Sequence, residues 1–251
     1  MLHPEREPRE VLDELKGTQG SRDFAAQYQQ APIAEGGNLI KWDWFKFYDE
    51  PPGWKAGDRI IISWDTAMSS KELSSYSACV VLQVRDETAY VLDVVRDRFE
   101  YPDLKRKVID VYRNACDRCE LLIENKGSGM SLIQELEREN IHAIPVDPQG
   151  DKIMRMNAQT ARIEAGAVFL PSRANWLDDF RGEILPFPAG RYTDQVDALS
   201  QALLRAFTKR PGEFGTGIIG PDGVITWLDS RQGRVSAFDA SHNGCIPSGR
   251  R

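Results

Sequence analysis

The run Arg59–Thr66, RIIISWDT, constrains this chain more than any other stretch. Three consecutive isoleucines and a Ser-Trp pair make a short, β-branched, apolar segment, the pattern of a strand covered on both faces. The run ends in Asp65. A carboxylate closing a buried strand is costly unless it is paired, hydrogen-bonded or bound to a cation. Taken alone, Asp65 serves equally well as a loop cap or the opening of a turn. Two acidic positions downstream favour a site.

Around this strand the chain reads as alternating elements. SACVVLQVRD and TAYVLDVVRDRF are β-branched runs joined at Arg85–Thr88, as expected of consecutive antiparallel strands. From Tyr101 to Cys116 the apolar period changes to that of a helix, with Pro102 in its first turn. ELLIE, Glu120–Glu124, is again a short apolar strand ending in a carboxylate, and NKGSG lets the chain turn sharply into a helix over Met130–Glu139. Next come a strand over His142–Val146, a helix over Met154–Ala165, a short strand Val168–Leu170 and a helix Trp176–Ile184. A Pro/Gly loop, Phe187–Tyr192, delivers TDQVDALSQALLRAF, in which Val196, Leu199, Leu203 and Phe207 form one apolar face. Thr193 and Asp194 occupy the N-cap region, and Asp194 and Asp197 are one turn apart.

The flanks differ. Residues 1–52 read as a connecting region with two helical pieces, Arg9–Lys16 and Ser21–Gln30. An aromatic group, Trp42, Trp44, Phe45, Phe47 and Tyr48, is expected to pack on a neighbouring domain. Residues 53–210 are the expected globular domain. Residues 211–251, rich in Gly, Pro and Ser, are expected to be a flexible tail with at best one hairpin.

Length and charge narrow the function. With 251 residues the chain holds one large domain or one domain with appendages. No run is long enough for a membrane helix and the N-terminus has no apolar signal segment, so no membrane partner is expected. The four cysteines form no disulfide framework, and the one CxxC, Cys116 and Cys119, lacks a second pair at zinc spacing. A net charge of −6 opposes broad attraction to nucleic acid, so a nucleic-acid site needs local cations and bound metal.

The topology implied by these runs brings Asp65, Glu124 and Asp194 to one end of a mixed sheet, where open α/β sheets tend to place sites. Carboxylates gathered so closely repel unless a cation lies between them. Hard divalent cations take oxygen ligands of this kind, and two such ions about 4 Å apart suit phosphodiester hydrolysis.

SWDTA, LLIENKGSG and YTDQVDALSQAL, with FAAQYQQAP upstream and EAGAVFLP between the second and third, resemble the C-terminal nuclease region of the large terminase subunit of tailed bacteriophages. The resemblance covers about residues 3–208. It implies an RNase H-like α/β fold, whose mixed sheet has three antiparallel strands followed by parallel ones and is flanked by helices. It also implies a metal-dependent endonuclease that cuts concatemeric DNA during packaging. By position Asp65, Glu124 and Asp194 match the catalytic metal ligands for Mg²⁺ or Mn²⁺, in two sites, and Asp197 is a further ligand, a supporting group or a plain helix-face acid. Lys126 and Ser128 near Glu124, and Lys152, Arg155 and Arg162 on one helix, are candidate DNA contacts, with a solvated surface as the alternative for each. Implied partners are double-stranded DNA, the packaging ATPase domain, the small terminase subunit and the portal, in the host cell cytoplasm.

One departure is plain. No GxxxxGK[ST] phosphate loop is present, and the first residues resemble the end of the ATPase and its linker, so the sequence reads as a nuclease-domain piece. A docking module of the packaging machinery, or an actin-like ATPase or kinase, are the competing readings.

Overall fold

The structure is a computed structural model that describes residues 9–20, 39–66, 76–115 and 119–208, together with three strands between 216 and 239. Helix α1 (Arg9–Gln19) precedes a 3₁₀ turn at Trp42–Trp44 and a short strand β1 (Lys46–Tyr48). Strands β2 (Arg59–Asp65), β3 (Ser77–Arg85) and β4 (Thr88–Asp97) come next. Helix α2 (Tyr101–Ala115), strand β5 (Cys119–Glu124), helix α3 (Ser128–Arg138), strand β6 (Ala143–Val146), helix α4 (Lys152–Glu164) and strand β7 (Val168–Pro171) alternate after them. Helices α5 (Leu177–Ile184) and α6 (Asp194–Phe207) follow.

The seven strands form one sheet in the order β1-β7-β4-β3-β2-β5-β6. β3 is antiparallel to both β2 and β4, whereas β5 runs parallel to β2 and β6 parallel to β5. The expected mixed sheet is therefore present, with β2 near its centre. β7 and β1 extend it beyond β4, both in parallel pairings.

Alternation along the strands sends successive side chains to opposite faces. Ile61, Val80, Leu82 and Leu122 pack in one core with Val196, Leu199 and Leu203 of α6. Ile60, Ile62, Trp64, Leu121 and Ile123 form the other core with residues of α2 and α3. This double coverage is why β2 and β5 are apolar almost throughout. Odd-numbered residues of β2, and with them Asp65, belong to the α6 side.

The aromatic segment behaves differently from its sequence reading. Phe45 is buried, Trp42 and Trp44 pack on the core shared with Leu39, Ile40 and Phe187, and Tyr48 Oη donates to the Val91 carbonyl at 2.7 Å. These four aromatics close the edge of the sheet, while Phe47 stays exposed. Helix α1 runs to Gln19, one turn beyond expectation. The helical piece Ser21–Gln30, the upstream motif residues it contains, and Cys116 lie outside the described residues. Among the described residues no helix is long and apolar enough to cross a membrane.

The chain divides into two units at Phe207 and Thr208. The second holds an antiparallel three-stranded sheet of β8 (Thr216–Ile219), β9 (Val224–Leu228) and β10 (Val235–Asp239), with β9 in the middle. That is one strand more than the hairpin the sequence suggested for its tail.

Candidate active site

The ends of two adjacent parallel strands build the centre of the site. β2 and β5 pair in register up to Trp64 and Ile123, so one further step sets Asp65 beside Glu124. Both lie on the face where Ser63 Oγ donates to the Ala198 carbonyl of α6 at 2.9 Å. The Asp65 and Glu124 side chains lie close enough to interact directly, which disfavours a second negative charge at Asp65. Burial raises the Asp65 pKa well above the carboxylate range, and the charges of Glu124, Asp197 and Asp194 raise it further.

Helix α6 crosses β2 and β3 and brings its first turn over this strand end. The Asp194 pKa is pushed up to about 6, first by burial and then by the charge of Glu183, against the opposing pull of a backbone hydrogen bond and Arg96. Asp197 is likewise raised by burial, and Arg155 opposes the shift. Arg155 Nη2 donates to Asp197 Oδ1 at 2.6 Å, and Lys152 Nζ donates to Thr193 Oγ1 at 3.0 Å, so α4 holds the start of α6. Lys126 Nζ lies 3.2 Å from Glu124 Oε1.

The approach of α3 to β5 is equally close. A Cβ at Gly129 would sit 2.0 Å from the Glu124 carbonyl oxygen and 3.2 Å from Thr66 Oγ1. Gly127 has a positive φ of 52°, a conformation glycine adopts freely. The glycines of NKGSG thus let the helix begin directly against the strand end that carries Glu124.

These neighbours separate the expected residues into groups. Asp65, Glu124, Asp194 and Asp197 come together, with Lys126, Lys152 and Arg155 beside them as internal partners. Ser128 is the first residue of α3. Arg162 is elsewhere: it pairs with Glu87 at 3.4 Å and stacks on Phe207, at the β3–β4 turn end of the sheet, opposite Asp65.

Two functional neighbours escaped the sequence reading. Glu183 of α5 is buried and accepts the Gln195 backbone N–H at 2.6 Å and its Nε2 at 2.7 Å, so it caps the first turn of α6 from another helix. Arg96 Nε lies 3.1 Å from Glu183 Oε2. In LDDFRGEI nothing marks Glu183 as buried, whereas Arg96 follows the apolar run of β4 and carries the same signal as Asp65, a charge at a buried strand end.

The donor set suits a hard divalent cation, because it offers only carboxylate oxygens together with Thr66 Oγ1. That hydroxyl is buried next to Asp65 and finds no hydrogen-bond partner among the described residues. Among the described residues no three Asp, Glu, His or Cys side chains are already drawn around one point where an ion would sit. Lys126 and Arg155 each contact one of these carboxylates.

The sequence profile of the terminase RNaseH-like domain matches residues 62–206. The chain belongs to that family. No curated protein matches it. Among solved structures, the large terminase nuclease of thermophilic phage G20c with bound magnesium superposes with a TM-score of 0.52. That match has 14% identity over 69% of this chain and 99% of the other. The cobalt-bound form of that nuclease gives the same values. The large terminase of another thermophilic bacteriophage, in complex with ADP, gives a TM-score of 0.56 at 11% identity, covering 80% of this chain and 52% of that one. The terminase RNase H-like domain described here thus spans about half the length of that protein. At such identities the likeness establishes the fold, which is the RNase H-like fold of terminase nuclease domains.

Proposed function

We propose that this terminase domain is a metal-dependent endonuclease that hydrolyses phosphodiester bonds of double-stranded DNA, cutting concatemeric viral DNA during genome packaging. The observation that carries the reading is the gathering of Asp65, Glu124, Asp194 and Asp197 at one end of the central strands, where Asp65 is raised first by burial and then by the charges of the other three. Such a set is unfavourable by itself and becomes favourable around a cation.

In this reading Asp65, Glu124 and Asp194 hold Mg²⁺ or Mn²⁺, and Asp197 either joins them or orients the first turn of α6 through Arg155. When bound, the ions supply charge neutralisation at the phosphate and lower the pKa of a nucleophilic water. A bound cation would favour the ionised form of Asp65, which burial and the neighbouring carboxylates disfavour in its absence. Lys126 and Arg155, which pair with Glu124 and Asp197, would be placed to meet phosphate oxygens if a cation took over those carboxylates. Gly129 and Glu183 keep the two halves of the site at fixed spacing. The packaging ATPase domain, the small terminase subunit and the portal are the proposed partners, supported by the likeness to a large terminase in complex with ADP.

The test is incubation with supercoiled plasmid in Mn²⁺, Mg²⁺ or EDTA, alongside Asp65→Ala, Glu124→Ala and Asp194→Ala. Metal-dependent nicking that disappears in all three variants is expected. Nicking that survives in them refutes the assignment, and its absence under every condition favours a docking module of the packaging machinery.

A further inference from the structure

Three arginines and two tyrosines form a connected stack beside the carboxylates. Tyr76, immediately before β3, and Tyr192, two residues before Asp194, meet edge to face with ring centroids 5.2 Å apart. The Arg96 guanidinium lies 3.7 Å from the Tyr76 centroid and 4.8 Å from that of Tyr192. Arg98 stacks on Tyr76 at 4.5 Å and Arg191 on Tyr192 at 5.1 Å. Contacts therefore run from Arg98 through Tyr76, Arg96 and Tyr192 to Arg191.

Register locates this stack. Asp65 is opposite Ala78 and Ala78 is opposite Arg96, so Arg96 stands two strands from Asp65 in one row of the sheet, roughly 10 Å away. Residues directly opposite one another share a face.

The members differ in what they have left to bind. Arg96 is largely enclosed, with Glu183 as its counter-charge. Arg98 and Arg191 are exposed, and neither makes an ion pair among the described residues. An aromatic face restrains a guanidinium in one plane while leaving its in-plane N–H donors free, which suits bidentate binding of phosphate. The cavity of about 300 Å³ that Arg96, Arg191 and Tyr192 line also carries Asp178, Asp179 and Glu183, so its interior is no anion pocket. The outer ends of the stack are where an anion fits. A chain of net charge −6 needs such fixed local cations to hold DNA.

We propose that Arg98 and Arg191 grip phosphates of the DNA backbone and seat the duplex beside the carboxylates, with Tyr76, Arg96 and Tyr192 as their rigid backing. This rests on the nuclease reading above and adds residues outside the expected DNA contacts.

The experiment measures binding of a short fluorescent duplex by anisotropy in EDTA across a salt series, for wild type, Arg98→Gln, Arg191→Gln and the double variant. The control variant Arg106→Gln/Arg113→Gln removes two cations from α2. Each single substitution is expected to weaken binding several-fold at low salt and to reduce the slope of log affinity against log salt by about 0.9, the double variant by about twice that. In plasmid nicking the double variant raises KM and leaves kcat near wild type. Unchanged slopes, or an equal loss in the control, overturn the proposal, as does a wild type that binds no duplex. Wild-type binding with these slopes but without nicking in any metal overturns the nuclease reading and leaves the grip in place.

Discussion

Replacing Gly129 by alanine adds one methyl group where α3 touches the strand end bearing Glu124. The new carbon would lie 2.0 Å from the Glu124 carbonyl oxygen. Carbon and oxygen in ordinary contact stay about 3.3 Å apart or more, so the overlap exceeds roughly 1 Å. The obstructing atom is main chain, and no rotamer change relieves it. Overpacking of this kind costs about 3 kcal/mol at the upper end of its range. Alanine returns about 1 kcal/mol in a helix. The net loss is therefore about 2 kcal/mol, or roughly 4–8 °C in melting temperature for a unit of this size. Displacement of Glu124 by about 1 Å is expected to reduce cutting by about 10²-fold as well. Gly182→Ala is the matched control: nothing lies within 4 Å of its added Cβ, and it is exposed within α5, so it should raise the melting temperature. Circular-dichroism melts in EDTA and plasmid nicking in Mn²⁺ report the two effects separately. A Gly129→Ala protein that melts at or above wild type and cuts normally would refute the close approach and the role given to this glycine.

Asp65→Asn mimics the protonated carboxyl that burial and its neighbours favour. In EDTA it should melt no lower than wild type, while the upward shift on adding Mn²⁺ disappears; a full metal shift in the variant would remove Asp65 from the ligand set. Asp194 titrates at about 6, above an unfolded value of about 4, so over that interval the native state holds the extra proton and the metal-free protein loses stability as pH rises. Asp194→Asn should therefore gain on wild type progressively from pH 4 to 6 in EDTA melts, and a constant difference would contradict the shift. Glu183→Gln leaves Arg96 without its counter-charge and should cost about 2–3 kcal/mol, less than a fully enclosed pair because the Arg96 side chain keeps 18% exposure. It should also lower the Asp194 pKa, measurable by carboxyl NMR titration. Tyr48→Phe removes the hydrogen bond to Val91 and should cost about 1 kcal/mol in thermal melts; no change would mean that β1 is not tied to β4 through that hydroxyl.

Strand-end charges were the most informative letters in the sequence. Asp65 and Glu124 were legible as carboxylates closing two apolar runs, and the order of elements put both at one end of the sheet; their adjacency appears only in the pairing of Ile60–Trp64 with Cys119–Ile123. Asp194 was legible at the start of a helix with one apolar face, and its place beside the other two acids came from the order of elements and the family resemblance. What remained hidden was contact between helices. Arg155 and Arg162 are seven residues apart on α4, two turns or about 10 Å. They looked equivalent, yet one reaches Asp197 and the other reaches Glu87 at the opposite end. Glu183 was hidden because three acids in eight residues resemble a wet face. Periodicity also says nothing about pairing partners distant in sequence, so the parallel pairing of β1 with β7 left no local trace.

The position of α6 at the middle of the sheet has a consequence for synthesis. During translation Asp65 and Glu124 emerge early, but the helix that covers Ile61, Val80 and Leu82 and brings Asp194 comes last of this unit. A nascent chain therefore exposes a greasy sheet face and two carboxylates without their third member until the ribosome has passed Phe207. Such intermediates are aggregation-prone and slow to mature, since their decisive contacts span well over a hundred residues. On the proposed reading the same order acts as a safeguard, because no chain shorter than this unit can assemble a working blade inside the cell that makes it.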